Sequence, residues 1–148
     1  MRRFLFLMVL CVSLMQVACA DSEKAIGVTD LPEKAQQFVK RYFADAKVGY
    51  YQKERDGFTV TYKVVFLNGD KLEFDRKGEW KDLECRNVFI PDEVVPAQIL
   101  KFVRDSYPGA RVTHIEKTKR KYEVKLDSGM EIAFDLKFNV MELEHDRD

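Results

Sequence analysis

Residues 58–84 are written a second time, in the same design, at 122–144. In the first copy Phe58-Thr59-Val60-Thr61-Tyr62 alternates toward Asn68-Gly69, and Leu72-Glu73-Phe74-Asp75-Arg76-Lys77-Gly78 leads into Trp80-Lys81-Asp82-Leu83-Glu84. In the second, Tyr122-Glu123-Val124-Lys125-Leu126 runs into Asp127-Ser128-Gly129, and Ile132-Ala133-Phe134-Asp135-Leu136-Lys137 leads into Val140-Met141-Glu142-Leu143-Glu144. The match extends upstream. Residues 32–62 lie over 96–126, with Pro32, Phe38, Val39, Ala46, Val48, Lys53 and Val60 recurring. Residues 69–84 lie over 129–144, with Gly69, Phe74, Asp75, Lys77, Leu83 and Glu84 recurring. The second half is four residues shorter, a loss expected near the tip of its second hairpin, where loops tolerate deletion.

Each copy spells one helix and four strands. Leu31, Ala35, Phe38, Val39, Tyr42 and Phe43 form one apolar stripe of a helix, with Lys34, Gln37, Lys40 and Arg41 on its wet side. Asp30, Pro32 and Glu33 are expected to start it, Asp30 by accepting bonds from the first free amides. Strands follow at 47–54, 58–67, 71–75 and 79–85, separated by the turn pairs Asp56-Gly57 and Asn68-Gly69 and by Asp75-Arg76-Lys77-Gly78. Phe58, Val60, Tyr62, Val64 and Phe66 share the inner face of the second strand. The order returns with a helix opened by Pro96, striped by Ile99, Phe102 and Val103 and stopped by Tyr107-Pro108-Gly109. Strands at 111–117, 122–127, 130–135 and 138–144 complete it, and 146–148 is a frayed end.

The expected fold class is therefore α+β: two tandem α/β4 repeats forming one antiparallel sheet of about eight strands, with both helices on one face. The repeats span 21–85 and 96–148, joined by a connector at 86–95. A half of this size would be marginal alone, so the two share a core. The other sheet face is left to water.

Residues 1–20 stand apart. Arg2 and Arg3 precede an apolar run that ends at Ala18-Cys19-Ala20, the pattern of a cleaved secretory signal. The run is shorter than the ~20 residues a spanning helix needs. Residues 21–28 then read as a short polar leader. Lipidation at Cys19 is the alternative, disfavoured by Gln16 where that signal expects a branched apolar residue. Of 25 basic and 25 acidic residues, cleavage removes Arg2 and Arg3, which leaves the mature chain slightly acidic. A nucleic-acid partner, whose footprint is a basic patch, is not expected. Cys11 and Cys19 depart with the leader, so Cys85 remains without a disulfide partner. The expected compartment is the periplasm or the exterior.

No catalytic constellation assembles. His114 and His145 lie far apart with no ligand spacing around them, so no metal and no cofactor are expected. Asp75 and Asp135 occupy equivalent places, and turn opening by bonding their own backbone outweighs acid–base work. Cys85 has no histidine nearby in sequence to activate it, and Ser106 and Ser128 sit in no nucleophile elbow. The chain reads as a non-enzyme.

The pattern Leu31-Pro32 … Gln37-Phe38-Val39, then Phe74-Asp75-Arg76-Lys77-Gly78-Glu79-Trp80 and Glu84-Cys85, resembles the PepSY-like proteins exported by Bacteroides-type bacteria. Its second appearance runs through Val95-Pro96, Tyr107-Pro108-Gly109-Ala110, Tyr122-Glu123-Val124 and Phe134-Asp135-Leu136-Lys137. That family is similar in architecture to the β-lactamase inhibitor protein, two tandem α/β4 units with a concave sheet. The resemblance implies an extracytoplasmic, non-enzymatic inhibitor or binding domain, and it carries over no catalytic or ligand residues. Phe138 stands where the first copy has Gly78, so the last hairpin is expected to turn differently.

The wet sheet face is where function is expected. Alternation from Leu83, Leu72 and Val60 puts Trp80, Lys71, Glu73, Thr59 and Thr61 on it, with Trp80 as a candidate anchor for a protein partner. A bulge in the strand would instead return Trp80 to the core. The alternative function is a structural or adhesive envelope component that self-associates through strand edges.

Overall fold

The computed structural model describes residues 22–145. The expected leader at 1–20 and frayed end at 146–148 lie outside them. The described chain is α+β, with two helices and a single antiparallel sheet of nine strands in sequence order. The elements are β1 (Ser22–Ile26), a 3-10 turn (Val28–Asp30), α1 (Glu33–Tyr42), β2 (Val48–Asp56), β3 (Thr59–Phe66), β4 (Lys71–Phe74) and β5 (Trp80–Glu84). They continue with α2 (Ala97–Ser106), β6 (Val112–Lys117), β7 (Lys121–Leu126), β8 (Met130–Asp135) and β9 (Val140–His145).

β1 is the strand the sequence concealed. Ser22-Glu23-Lys24-Ala25 offers no apolar alternation and so reads as a polar leader, and all four are exposed. Its pairing with β2 sets Ile26 opposite Tyr51 and so lengthens the core row. Asp30 also differs from expectation. Its carboxylate accepts from the Gly27 amide at 2.9 Å and closes the 3-10 turn, while α1 starts from Pro32 without a side-chain cap.

Cross-strand register explains the core. Ile26, Tyr51, Val64, Leu72, Leu83, Ile115, Val124, Ile132 and Leu143 stand opposite one another in turn across all nine strands. Directly opposed residues share a face, so this row is one apolar stripe running across the sheet. Phe74 and Phe134, two residues along from Leu72 and Ile132, point the same way and are fully buried. Phe38 of α1 meets Phe74 edge-on at 5.5 Å between ring centres, and Phe102 of α2 meets Phe134 likewise at 5.5 Å. The connector adds Ile90, Val94 and Val95 to the same core.

Four irregularities punctuate the ladders. Gly49 in β2 and Thr113 in β6 are skipped by their partner strands, as are Lys81 in β5 and Met141 in β9. A second comparison locates the length difference between the halves. Lys53, Tyr62 and Phe74 stand opposite one another, and so do Lys117, Tyr122 and Phe134. Tyr122 therefore corresponds to Tyr62, and the lost residues come from the β2–β3 hairpin rather than the next one. β2 and β3 are the longer pair, and Phe58, expected inside, sits at their turn fully exposed.

The last hairpin also corrects its expectation. The Asp75 carboxylate accepts from the Lys77 and Glu79 amides at 2.8 and 3.0 Å, and that of Asp135 from the Lys137 and Asn139 amides at 2.8 and 2.9 Å. Gly78 has φ 81° and Phe138 φ 66°, so both turns adopt the same shape. For a bulky residue this left-handed conformation costs on the order of 1–2 kcal/mol. Stacking of Phe138 on Tyr122, at 5.4 Å, offsets part of it.

Candidate functional site

The face opposite the apolar row is built from the alternate residues of the same strands. One row reads Gln52, Lys63, Glu73, Asp82, Glu116, Glu123, Ala133 and Glu142. The next reads Tyr50, Val65, Lys71, Glu84, His114, Lys125, Glu131 and Glu144. Charged side chains thus stand in ranks on a pleated surface, each half-shielded by its neighbours.

Over β2–β5 the charges pair. Lys63 bridges Glu54 and reaches Glu73 at 3.8 Å; Lys71 lies 3.4 Å from Glu73 and 3.9 Å from Glu84; Arg86 closes the series on Glu84 at 2.7 Å. The Glu54 carboxylate, by its hydrogen bond, holds the Lys63 ammonium above the ordinary lysine range, against the opposing effect of burial. Isolated surface ion pairs contribute little, but a series sharing partners fixes the side chains in place.

Over β5–β8 acids gather. His114 Nε2 and Asp82 Oδ1 are 2.8 Å apart, and that hydrogen bond raises the imidazole pKa, with Glu84 and Glu116 adding to it. Glu116 is raised by burial first, then by the charges of Asp82 and Glu123. Glu123 is lowered by its bond to Lys121. A shallow recess of about 210 Å³ lies here, lined in part by His114, Glu123, Glu131, Glu142 and Glu144. Among the described residues no group of three or more His, Cys, Asp or Glu side chains is arranged to hold a metal ion.

Of the residues expected on this face, Lys71, Glu73, Thr59 and Thr61 share it: Glu73 is opposite Lys63, and Thr61 and Thr59 follow Lys63 at alternate positions of β3. Thr61 is almost fully covered and accepts from Lys81 Nζ at 3.3 Å. Trp80 is not among them. Asp82 stands opposite Glu73, but Trp80 stands opposite Phe74, because β5 carries Lys81 as an unpaired extra residue. One bulged residue reverses the alternation beyond it, so Trp80 packs against the core and Lys81 reaches the wet face in its stead.

Sequence reasoning passed over the most connected polar residue, Asp70. Its carboxylate is buried and accepts from the backbone amides of Arg86, Asn87 and Val88 at 3.0, 3.2 and 3.2 Å, and from Asn68 Nδ2 at 2.8 Å. It clasps the β3–β4 turn to the start of the connector. Asn68-Gly69 announced a turn, and nothing local announced what Asp70 would hold. Cys85 beside it is fully buried, and burial, followed by the charges of Asp70, Glu84 and Asp82, pushes its thiol up to about 12. It stays a neutral thiol at ordinary pH.

Comparison with known proteins follows the same lines. Residues 60–142 match the family described as "Putative beta-lactamase-inhibitor-like, PepSY-like". A "putative periplasmic protein" of the DUF2874 family from Bacteroides vulgatus is 47% identical, with a TM-score of 0.83 over 85% of this chain and 99% of that one. A "putative calcium-regulated periplasmic protein" from Bacteroides thetaiotaomicron is 44% identical, with a TM-score of 0.80 over 83% of this chain and 97% of that one. A second Bacteroides vulgatus protein, described as a "putative periplasmic protein of unknown function", is 32% identical, with a TM-score of 0.76 over 84% and 99%. No curated protein matches the chain. With the matched segment spanning more than half of its length and relatives of this identity along nearly all of their own, the chain belongs to the PepSY-like family.

Proposed function

We propose that the chain is an exported, non-enzymatic binding module that grips another protein with the open face of its sheet. In this reading two tandem α/β4 units place both helices on the apolar side, and the paired charges of β2–β5 form the docking surface. Thr59, Thr61, Lys71 and Glu73 are its centre, with Lys63 and Lys81 now beside them. The observation that carries the reading is the shared ion-pair series from Glu54 to Arg86, which presents a pre-ordered pattern of charge on a rigid sheet. Pre-ordered polar groups lose less entropy on binding than free ones, and complementary charge selects the partner. Export rests on the leader at 1–20 and on relatives described as periplasmic. Among the described residues no helix is long and apolar enough to cross a membrane. Calcium regulation, named for one relative, finds no ligand cluster of its own among these residues.

Site-specific photo-crosslinking in a native envelope fraction tests it. A crosslinker at Thr59 or Glu73 is expected to trap one discrete protein, and a crosslinker at Gln37 on the wet side of α1 none. Trapping from Gln37 alone would move the binding surface to the helices and end the proposal.

A further inference from the structure

The sheet ends differently at its two edges. At the internal junction, β5 sets Leu83 opposite Ile115, between Asp82 opposite Glu116 and Glu84 opposite His114. At the first edge, β1 sets Ile26 opposite Tyr51 and Ala25 opposite Gln52. β1 therefore occupies on β2 the place that β5 occupies on β6. β9 repeats the design of β5, with Leu143 between Glu142 and Glu144 and one residue skipped, Met141, as Lys81 is skipped before. Yet β9 is the last strand, and its outer side pairs with no strand among the described residues. Leu143 is 52% exposed where its counterpart Leu83 is 0% exposed, and Met141 is 62% exposed. Among the described residues the apolar row ends on this exposed leucine.

Charge decides what fits there. A second copy pairing β9 with β9 would add Glu142 and Glu144 of its own to a face where Glu116 already meets Asp82 and Glu123, and Glu131 meets Glu144, and each such pair is unfavourable. A cationic strand would meet them favourably. The internal junction supplies the core-side pattern, Ile115 facing Leu83, and one basic contact on the other side, where His114 stands opposite Glu84 and bonds Asp82 while Glu116 stands opposite Asp82.

We propose that the β9 edge takes up an extended basic segment of another protein as a tenth strand, an apolar residue beside Leu143 and cationic residues beside Glu142 and Glu144. Main-chain bonds along an open edge supply affinity, and alternate side chains supply selectivity. This goes beyond the face-binding reading and can fail without it.

The test titrates isotope-labelled full-length protein with a hexapeptide of alternating lysine and valine, against a glutamate–valine hexapeptide, by amide NMR. Shifts are expected to concentrate at 140–145, to be absent with the acidic peptide, and to weaken with salt. The E142K/E144K variant, shown to be folded by its dispersed spectrum, is expected to bind about tenfold more weakly or less. Equal binding by that variant, no shifts at 140–145, or concentration-dependent dimerisation through these residues without peptide would each overturn the proposal. Shifts confined to 59–73 would overturn it while leaving the face-binding reading intact.

Discussion

The unit containing β2–β5 and the unit containing β6–β9 share their core geometry but differ in how they are finished. Phe38 on Phe74 and Phe102 on Phe134 are the same contact at the same 5.5 Å, and Lys53 over Tyr62 is matched by Lys117 over Tyr122 at 5.4 and 5.6 Å. Around that common core the first unit carries an extra strand. β1 covers its edge, Asp70 clasps its hairpin to the connector, and its wet face is charge-paired. The second unit differs. Among the described residues no strand lies outside β9, Met130 opens β8 where Asp70 precedes β4, and acids outnumber bases on its wet face. The difference teaches that residues facing the helices are held by packing, while the edges and the wet face are free to diverge.

The largest expected effect bears on the shared core. Phe74→Ala and Phe134→Ala each remove a fully buried ring and are expected to cost about 3–5 kcal/mol in chemical denaturation. Similar losses sustain the equivalence. A mild Phe134→Ala beside a severe Phe74→Ala would break it, leaving the second unit loosely packed.

A smaller effect separates the two Asp-initiated turns. A Cβ at Gly78 would lie 2.9 Å from the Ala35 amide nitrogen and 2.9 Å from Pro32 Cβ, at a φ of 81°. Gly78→Ala therefore combines a clash against α1 with left-handed strain of roughly 1–2 kcal/mol. Phe138→Gly removes that strain and loses a stacked ring worth about 0.5–1.5 kcal/mol beyond its burial. Thermal unfolding is expected to show Gly78→Ala as the more damaging change. The reverse order would mean that Phe138, not the turn, holds the second unit together.

These comparisons also show what could be read in the sequence. Both helix stripes, eight strands and the turn-opening roles of Asp75 and Asp135 were legible, because each is set by neighbours within a few positions. Trp80 was misplaced because one extra residue, Lys81, reverses a period of two and leaves no local trace. β1 and the Asp70 clasp were missed because their partners lie far along the chain, at Tyr51–Arg55 and Arg86–Val88. Phe138 was expected to change its turn, but a stacking partner sixteen positions upstream, Tyr122, lets it keep glycine's conformation. Of the wet face, strand alternation placed Thr59, Thr61, Lys71 and Glu73 correctly, while the pairing that connects them required the register.

The smallest effect lies at the junction of the two units. The Asp82 hydrogen bond raises the His114 pKa, so the folded chain holds this proton more tightly than the unfolded one. The stabilisation is complete below the unfolded value of about 6.5 and is lost as pH rises through the folded midpoint. An NMR titration of the imidazole is expected to give a midpoint above the ordinary value, and Asp82→Asn is expected to lower it. An unchanged midpoint in that variant would show that the contact does not join β5 to β6 electrostatically.

The account turns on the wet face of the first unit being the surface that partners recognise. The most direct measurement compares partner capture by the wild type with that by the double swap Lys71→Glu/Glu73→Lys. The swap keeps opposite charges at positions 71 and 73, sets like charges opposite Glu84 and Lys63, and inverts the pattern a partner would meet. The account predicts a folded protein with a modestly lowered melting temperature and loss of capture, whereas Glu33→Lys/Gln37→Glu on the wet side of α1 leaves capture intact. Full capture by the Lys71/Glu73 swap would contradict it.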